Sequence, residues 1–91
     1  MNTNILFRPL QLGALKLPNR LVMAPLTRMR AGAAGVATSL MAEYYGQHAS
    51  AGVIITEGTA VSPLAHGYPA SPGIYTAEQI ASWRLVTDQV H

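Results

Sequence analysis

The side chains able to do chemistry fall into two stretches of this sequence. In the first, Pro25 and Leu26 lead to the hydroxyl of Thr27 and then to two guanidiniums, Arg28 and Arg30. In the second, Glu57 stands beside Gly58, and His66 and Tyr68 follow within a run rich in proline and glycine. Thr27 offers one donor and two acceptor sites. It serves either as a ligand contact or as a turn hydroxyl bonded to nearby backbone. Gly58 either lets a flat ligand approach bare backbone or marks a bulge or close packing. Glu57 has the opposite strand parity from Gly58 and shares that of the apolar Ile55. That parity turns it toward a helical layer, as a structural partner for an arginine rather than a base. Tyr68, between Gly67 and Pro69, either closes over a substrate or packs its loop down. His66 has no paired acid or nucleophile in the pattern, and His48 and His66 are not at metal-ligand spacing, so no metal site is expected. Neither common phosphate-cradling glycine fingerprint is present.

These residues need elements to position them. Leu21-Val22-Met23-Ala24 is an unbroken apolar run, the pattern of a parallel strand covered on both faces, and it predicts a strand over about 20–25 that Pro25 ends. Before it, residues 11–17 alternate around Gly13 and predict a β-hairpin. Residues 31–37, AGAAGVA, carry no periodicity and read as loop. Thr38 or Ser39 can cap a helix over about 39–49, with Leu40, Tyr44 and Gln47 on one face and Met41, Tyr45 and His48 beside it. Gly52 is placed to end the turn after that helix. The β-branched run from Val53 predicts a second buried strand, running to about Ala60. Residues 61–75 hold three prolines and two glycines, and an ordered connection of that length suits a lid or binding loop. Thr76 and Gln79 form a capping box for a last helix, with Ile80, Trp83, Val86 or Thr87, and Val90 on its apolar face.

Hairpin, strand, helix, strand, helix is an α/β order, and two successive βα units imply a parallel sheet with right-handed crossovers. Ligand sites in such folds lie past the carboxyl ends of strands. In a βα barrel the loops 25–38 and 61–75 share one rim, where Thr27, Arg28, Gly58 and Tyr68 can converge.

Composition says that this segment does not stand alone. Of 91 residues, 11% are charged and 49% hydrophobic, against roughly 25% charged in ordinary domains. A chain this short buries only about 60–65% of its unfolded surface. Its apolar faces are expected to meet protein beyond these residues, and the end at His91, between a helix and the next strand, suggests a cleaved or split protein. The net charge of +2 comes from scattered basic residues, which argues against a nucleic-acid partner. Without cysteine there is neither a disulfide framework nor a thiolate site. No secretory signal and no apolar stretch of about 20 residues is visible, so a cytoplasmic protein without a membrane partner is the expectation.

Four consecutive motifs carry a resemblance: LFRPLQLG, NRLVMAPLTRMRA, AEYYGQHASAGVIITEGTAVSP and GYPASPGIYTAEQIASW. Together they resemble the opening quarter to third of the old yellow enzymes, in the branch of N-ethylmaleimide- and pentaerythritol tetranitrate-type reductases. The family is FMN-dependent and built on a (β/α)8 TIM barrel with an N-terminal hairpin. The resemblance implies that residues 1–91 are the N-terminal segment of a single FMN-binding TIM-barrel domain, completed by sequence outside this chain.

The resemblance also assigns roles. Pro25, Leu26 and Thr27 match the segment lining the flavin, where the threonine hydroxyl bonds the C4 carbonyl oxygen, and Gly58 matches a flavin-contacting glycine or alanine. Thr27 thereby becomes the best flavin contact. Cysteine stands at that position in the thermophilic-like branch, so Thr27 points away from it. Tyr68 matches an aromatic residue on the substrate side. The implied activity is NAD(P)H-dependent reduction of activated alkenes, either α,β-unsaturated carbonyl or nitro compounds. NADPH or NADH is the reductant, and a second chain or segment supplies the other strands. The family's substrate-binding histidine pair, its proton-donating tyrosine and its FMN phosphate site fall on later strands, so no catalytic residue is expected here. None of His48, His66 and His91 matches the pair. Arg28 and Arg30 match no catalytic role, and pairing with Glu57 is the expectation. The alternatives are a non-catalytic fragment or assembly module, or another FMN barrel such as a dihydrouridine synthase, which lacks a good counterpart of GYPASPGIYTAEQ.

Overall fold

A computed structural model describes residues 3–91. After a 3-10 turn at Thr3–Phe7, β1 (Leu10–Leu12) and β2 (Leu15–Leu17) form an antiparallel hairpin. Gly13 takes the first turn position with φ of 59°, the left-handed backbone that glycine adopts at no steric cost.

Two further strands, β3 (Val22–Met23) and β4 (Val53–Ile54), pair in parallel, with Val22 opposite Val53 and Met23 opposite Ile54. The connection between them carries α1 (Ser39–Gly46), and α2 (Ala77–Val90) follows β4. Both strands are shorter than the sequence suggests. Pairing continues only to the Ile55 N–H on the Met23 carbonyl, at 3.1 Å, before the two chains part. Among the described residues β3 is covered on one face only. Met23 and Ile54 pack on the helical core, while Val22 is 55% and Ile55 49% exposed. Ile54 rather than Ile55 therefore faces the helices. Strict alternation does not run from Ile54 through to the buried Glu57, because regular strand geometry has ended by then.

The core is small: Ala37, Met41, Tyr45, Trp83 and Val86 join α1 to α2. Thr38 caps α1 by accepting the Met41 N–H at 3.3 Å. The helix stops at Gly46, short of residue 49, because the chain tightens into turns, with His48 and Ala49 N–H groups bonded to carbonyls three residues back. Gly52 lies where the turns after the helix give way to β4. It brings backbone against Asn19, where a Cβ would collide with the Asn19 carbonyl oxygen, and its N–H donates to Leu21 at 2.9 Å.

The capping box on α2 is present, with the Gln79 N–H on the Thr76 hydroxyl at 3.1 Å and the Thr76 N–H on Gln79 Oε1 at 3.0 Å. Gln79, not Ile80, turns inward, with Ser82, Trp83 and Val86; Ile80 is exposed. A glutamine is tolerated there because both its amide oxygen and its amide nitrogen are hydrogen-bonded, as described below. No helix among the described residues is long and apolar enough to cross a membrane.

Candidate functional site

β3 and β4 run side by side in the same direction, so their carboxyl ends open on one edge. Counted from the Met23–Ile54 pair, Thr27 and Gly58 each lie four residues further along. Pro25, Leu26, Thr27 and Gly58 are all exposed at that edge. The Thr27 hydroxyl makes no hydrogen bond among the described residues, so the turn-hydroxyl reading is not realised. A Cβ added to Gly58 would meet nothing within 4 Å among the described residues, so no packing within them calls for a glycine here. An open hydroxyl past the end of β3 and bare backbone past the end of β4 are groups that a hydrogen-bonding ligand can use.

The two loops are laced together. The Ala31 N–H donates to the Ala70 carbonyl at 3.0 Å and the Gly73 N–H to Gly35 at 2.9 Å. Gln79 Nε2 reaches the Ala34 carbonyl at 2.7 Å while its Oε1 accepts from Tyr75 and Thr76. Ser82 Oγ accepts the Ala37 N–H at 2.9 Å. The loop 31–37 contains a single 3-10 turn at Ala33–Gly35, and 61–75 one at Pro63–Ala65.

Tyr68, 61% exposed, borders a cavity of about 580 Å³ shared with residues 31–35, His66 and Tyr75. His66 is fully committed: Nδ1 lies 2.8 Å from Ser71 Oγ and Nε2 2.8 Å from the Tyr75 hydroxyl. It is a brace for the loop, and the sequence offered only the weak hint of two hydroxyl residues shortly after it. Tyr68 thus shares its cavity with loop 31–35, whereas Thr27 and Gly58 stand on the rim of the sheet.

Glu57 does face the helical layer, but its partner is not an arginine. The Tyr45 hydroxyl donates to Glu57 Oε2 at 2.7 Å and accepts the Glu57 N–H at 3.0 Å. Burial raises the Tyr45 phenol well above its ordinary range, the Glu57 N–H works against that shift, and the Glu57 carboxylate adds to it. Arg28 instead stands over the Tyr44 ring, 4.8 Å from its centroid, and Arg30 Nη1 donates to the carbonyls of Arg28 and Met29. Sequence alone missed Tyr45 because its hydroxyl partner is twelve residues away, past the end of β4. Among the described residues no group of three or more His, Asp or Glu side chains could hold a metal.

Residues 5–91 match the model of the NADH:flavin oxidoreductase / NADH oxidase family. Chanoclavine-I aldehyde reductase of Penicillium roqueforti is 49% identical over 88 residues, which are 94% of this chain and 24% of that protein. Among solved structures, morphinone reductase in complex with tetrahydroNAD is 56% identical with a TM-score of 0.89, over 94% of this chain and 23% of its own. The old yellow enzyme of Trypanosoma cruzi is 45% identical with a TM-score of 0.90, over 100% of this chain and 25% of its own. The chain thus spans about a quarter of the length of these relatives.

Proposed function

Because the chain belongs to the NADH:flavin oxidoreductase / NADH oxidase family, among the old yellow enzymes, we propose that it is the N-terminal segment of an FMN-dependent, NAD(P)H-driven ene-reductase. The barrel is completed by a second chain or segment. The observation that carries this reading is the shared rim of β3 and β4, with the Thr27 hydroxyl unbonded and the Gly58 backbone bare. Pro25, Leu26, Thr27 and Gly58 would hold FMN there, and Tyr68 would line the substrate side of the pocket. When bound, FMN supplies hydride, drawn from NADPH or NADH, to the β-carbon of an alkene conjugated to a carbonyl or nitro group, a proton being added at the α-carbon. Within this segment Thr27 donates a hydrogen bond to the ring. That donor favours the electron-rich reduced state without adding a full charge. His66 and Gln79 brace the loop 61–75 that carries Tyr68.

The test is complementation. Mixing this chain with the remaining barrel segment should restore flavin absorbance and NADPH-dependent reduction of 2-cyclohexenone. Clean association without bound FMN would overturn the reading and leave an assembly module.

A further inference from the structure

We infer that Glu57 is a buried socket for a cationic side chain, an arginine or lysine, carried by the part of the barrel outside these residues. Glu57 is 2% exposed. Its Oε2 is met by Tyr45, whose hydroxyl is already used twice, once as donor and once as acceptor. The other oxygen, Oε1, is buried and has no hydrogen-bond partner. A neutral donor would satisfy the lone pair and still leave a buried charge uncompensated, whereas a cation answers both needs.

Glu57 lies in the wall of a pocket of about 200 Å³. Arg28 and Arg30 line the same pocket, but the first is stacked on Tyr44 and the second is bonded to backbone carbonyls. The remaining wall is α1, with Leu40, Tyr44 and Gln47 along one side and Met41 and the carboxylate-bearing Glu43 beside them. α1 packs on α2 through Met41 and Tyr45, and that other side, where Leu40 is 55% exposed, has no covering element among the described residues. In a closed (β/α)8 ring every helix has a helical neighbour on both flanks. The flank of α1 away from α2 therefore receives the element that brings the cation. The inference rests on barrel completion and not on the redox chemistry.

Replacing the matching quarter of morphinone reductase with this segment gives a full barrel in which to test it. Its crystal structure should place an arginine or lysine nitrogen from outside residues 1–91 within about 4 Å of Glu57 Oε1. Arg28 or Arg30 in that place, or water alone, would overturn the inference. Flavin binding reports barrel completion separately, and the structure reads Glu57 whether or not flavin is retained. In the same chimera Glu57→Gln should lower the melting temperature by roughly 5–10 °C. Neutralising the partner cation should do the same, and the double variant should lose less than the sum of the two. A Glu57→Gln chimera as stable as its parent contradicts the inference, and the crystal structure of the parent decides the matter should that variant not fold.

Discussion

At the scale of single residues, the rim and the buried layer make separate demands. Thr27 is exposed and unbonded, so its removal should leave the fold intact and act on the cofactor alone. In the flavin-loaded barrel, Thr27→Ala should lower the flavin midpoint potential by roughly 20–30 mV, the equivalent of about one hydrogen bond in a two-electron couple. A dye-equilibration titration reads this directly, and an unchanged potential would show that Thr27 is not on the flavin. Tyr45 is the opposite case. Its folded-state phenol is raised above the unfolded value of about 10. Stability tied to its protonated form is thus complete below that pH and is lost as pH climbs toward the folded pKa. Denaturant melts at pH 9 and 11 should show a loss in the parent barrel that Tyr45→Phe reduces. The stop of β3 before Pro25 was legible in the sequence because a proline stop announces itself locally. The Tyr45–Glu57 pair was not, since regular alternation ends before Glu57, and parity cannot in any case choose between an arginine and a tyrosine as partner.

Elements were legible wherever the signal is local. Thr38, Thr76 and Gln79 mark helix starts through side chains that bond backbone three residues away, and those starts agree with the structure. Ends and faces were harder. β3 and β4 stop after two paired residues each because a strand's length is set by its neighbours, which the sequence of one strand does not contain. Ile80 reads as core by period, but Gln79 takes the place because loops 31–37 and 61–75 converge on its amide. Gln79→Ala removes three side-chain bonds to backbone. In the completed barrel it should cost roughly 2–4 kcal/mol in a urea melt, against about 1 kcal/mol for Thr76→Ala, which removes the cap alone. Equal losses would mean that Gln79 does no more than cap the helix. Gly52→Ala should also destabilise, through contact with Asn19 rather than through any change in the turn.

At the scale of the molecule, the segment has the proportions of a part. Its accessible surface is 6282 Å², where a compact monomer of this mass exposes about 5,100 Å². Its radius of gyration is 14.8 Å, where about 12 Å is usual for a compact domain of this length. The excess is apolar and follows the open strands and helix flanks: Val22, Leu26, Leu40, Ile55 and Leu85 are each more than half exposed or close to it. Low charge in the sequence foretold this, but not where the bare faces would lie. A core of five buried residues between two helices is too small to offset the chain entropy of the whole segment. The isolated chain should therefore bind a hydrophobic dye strongly and melt without a sharp transition. Adding the complementary barrel segment should quench the dye signal and produce one cooperative melt, because the same apolar faces are then covered. A sharp melt of the isolated chain with little dye bound would show that these faces find partners within the 91 residues, and would remove the physical ground for reading them as barrel contacts.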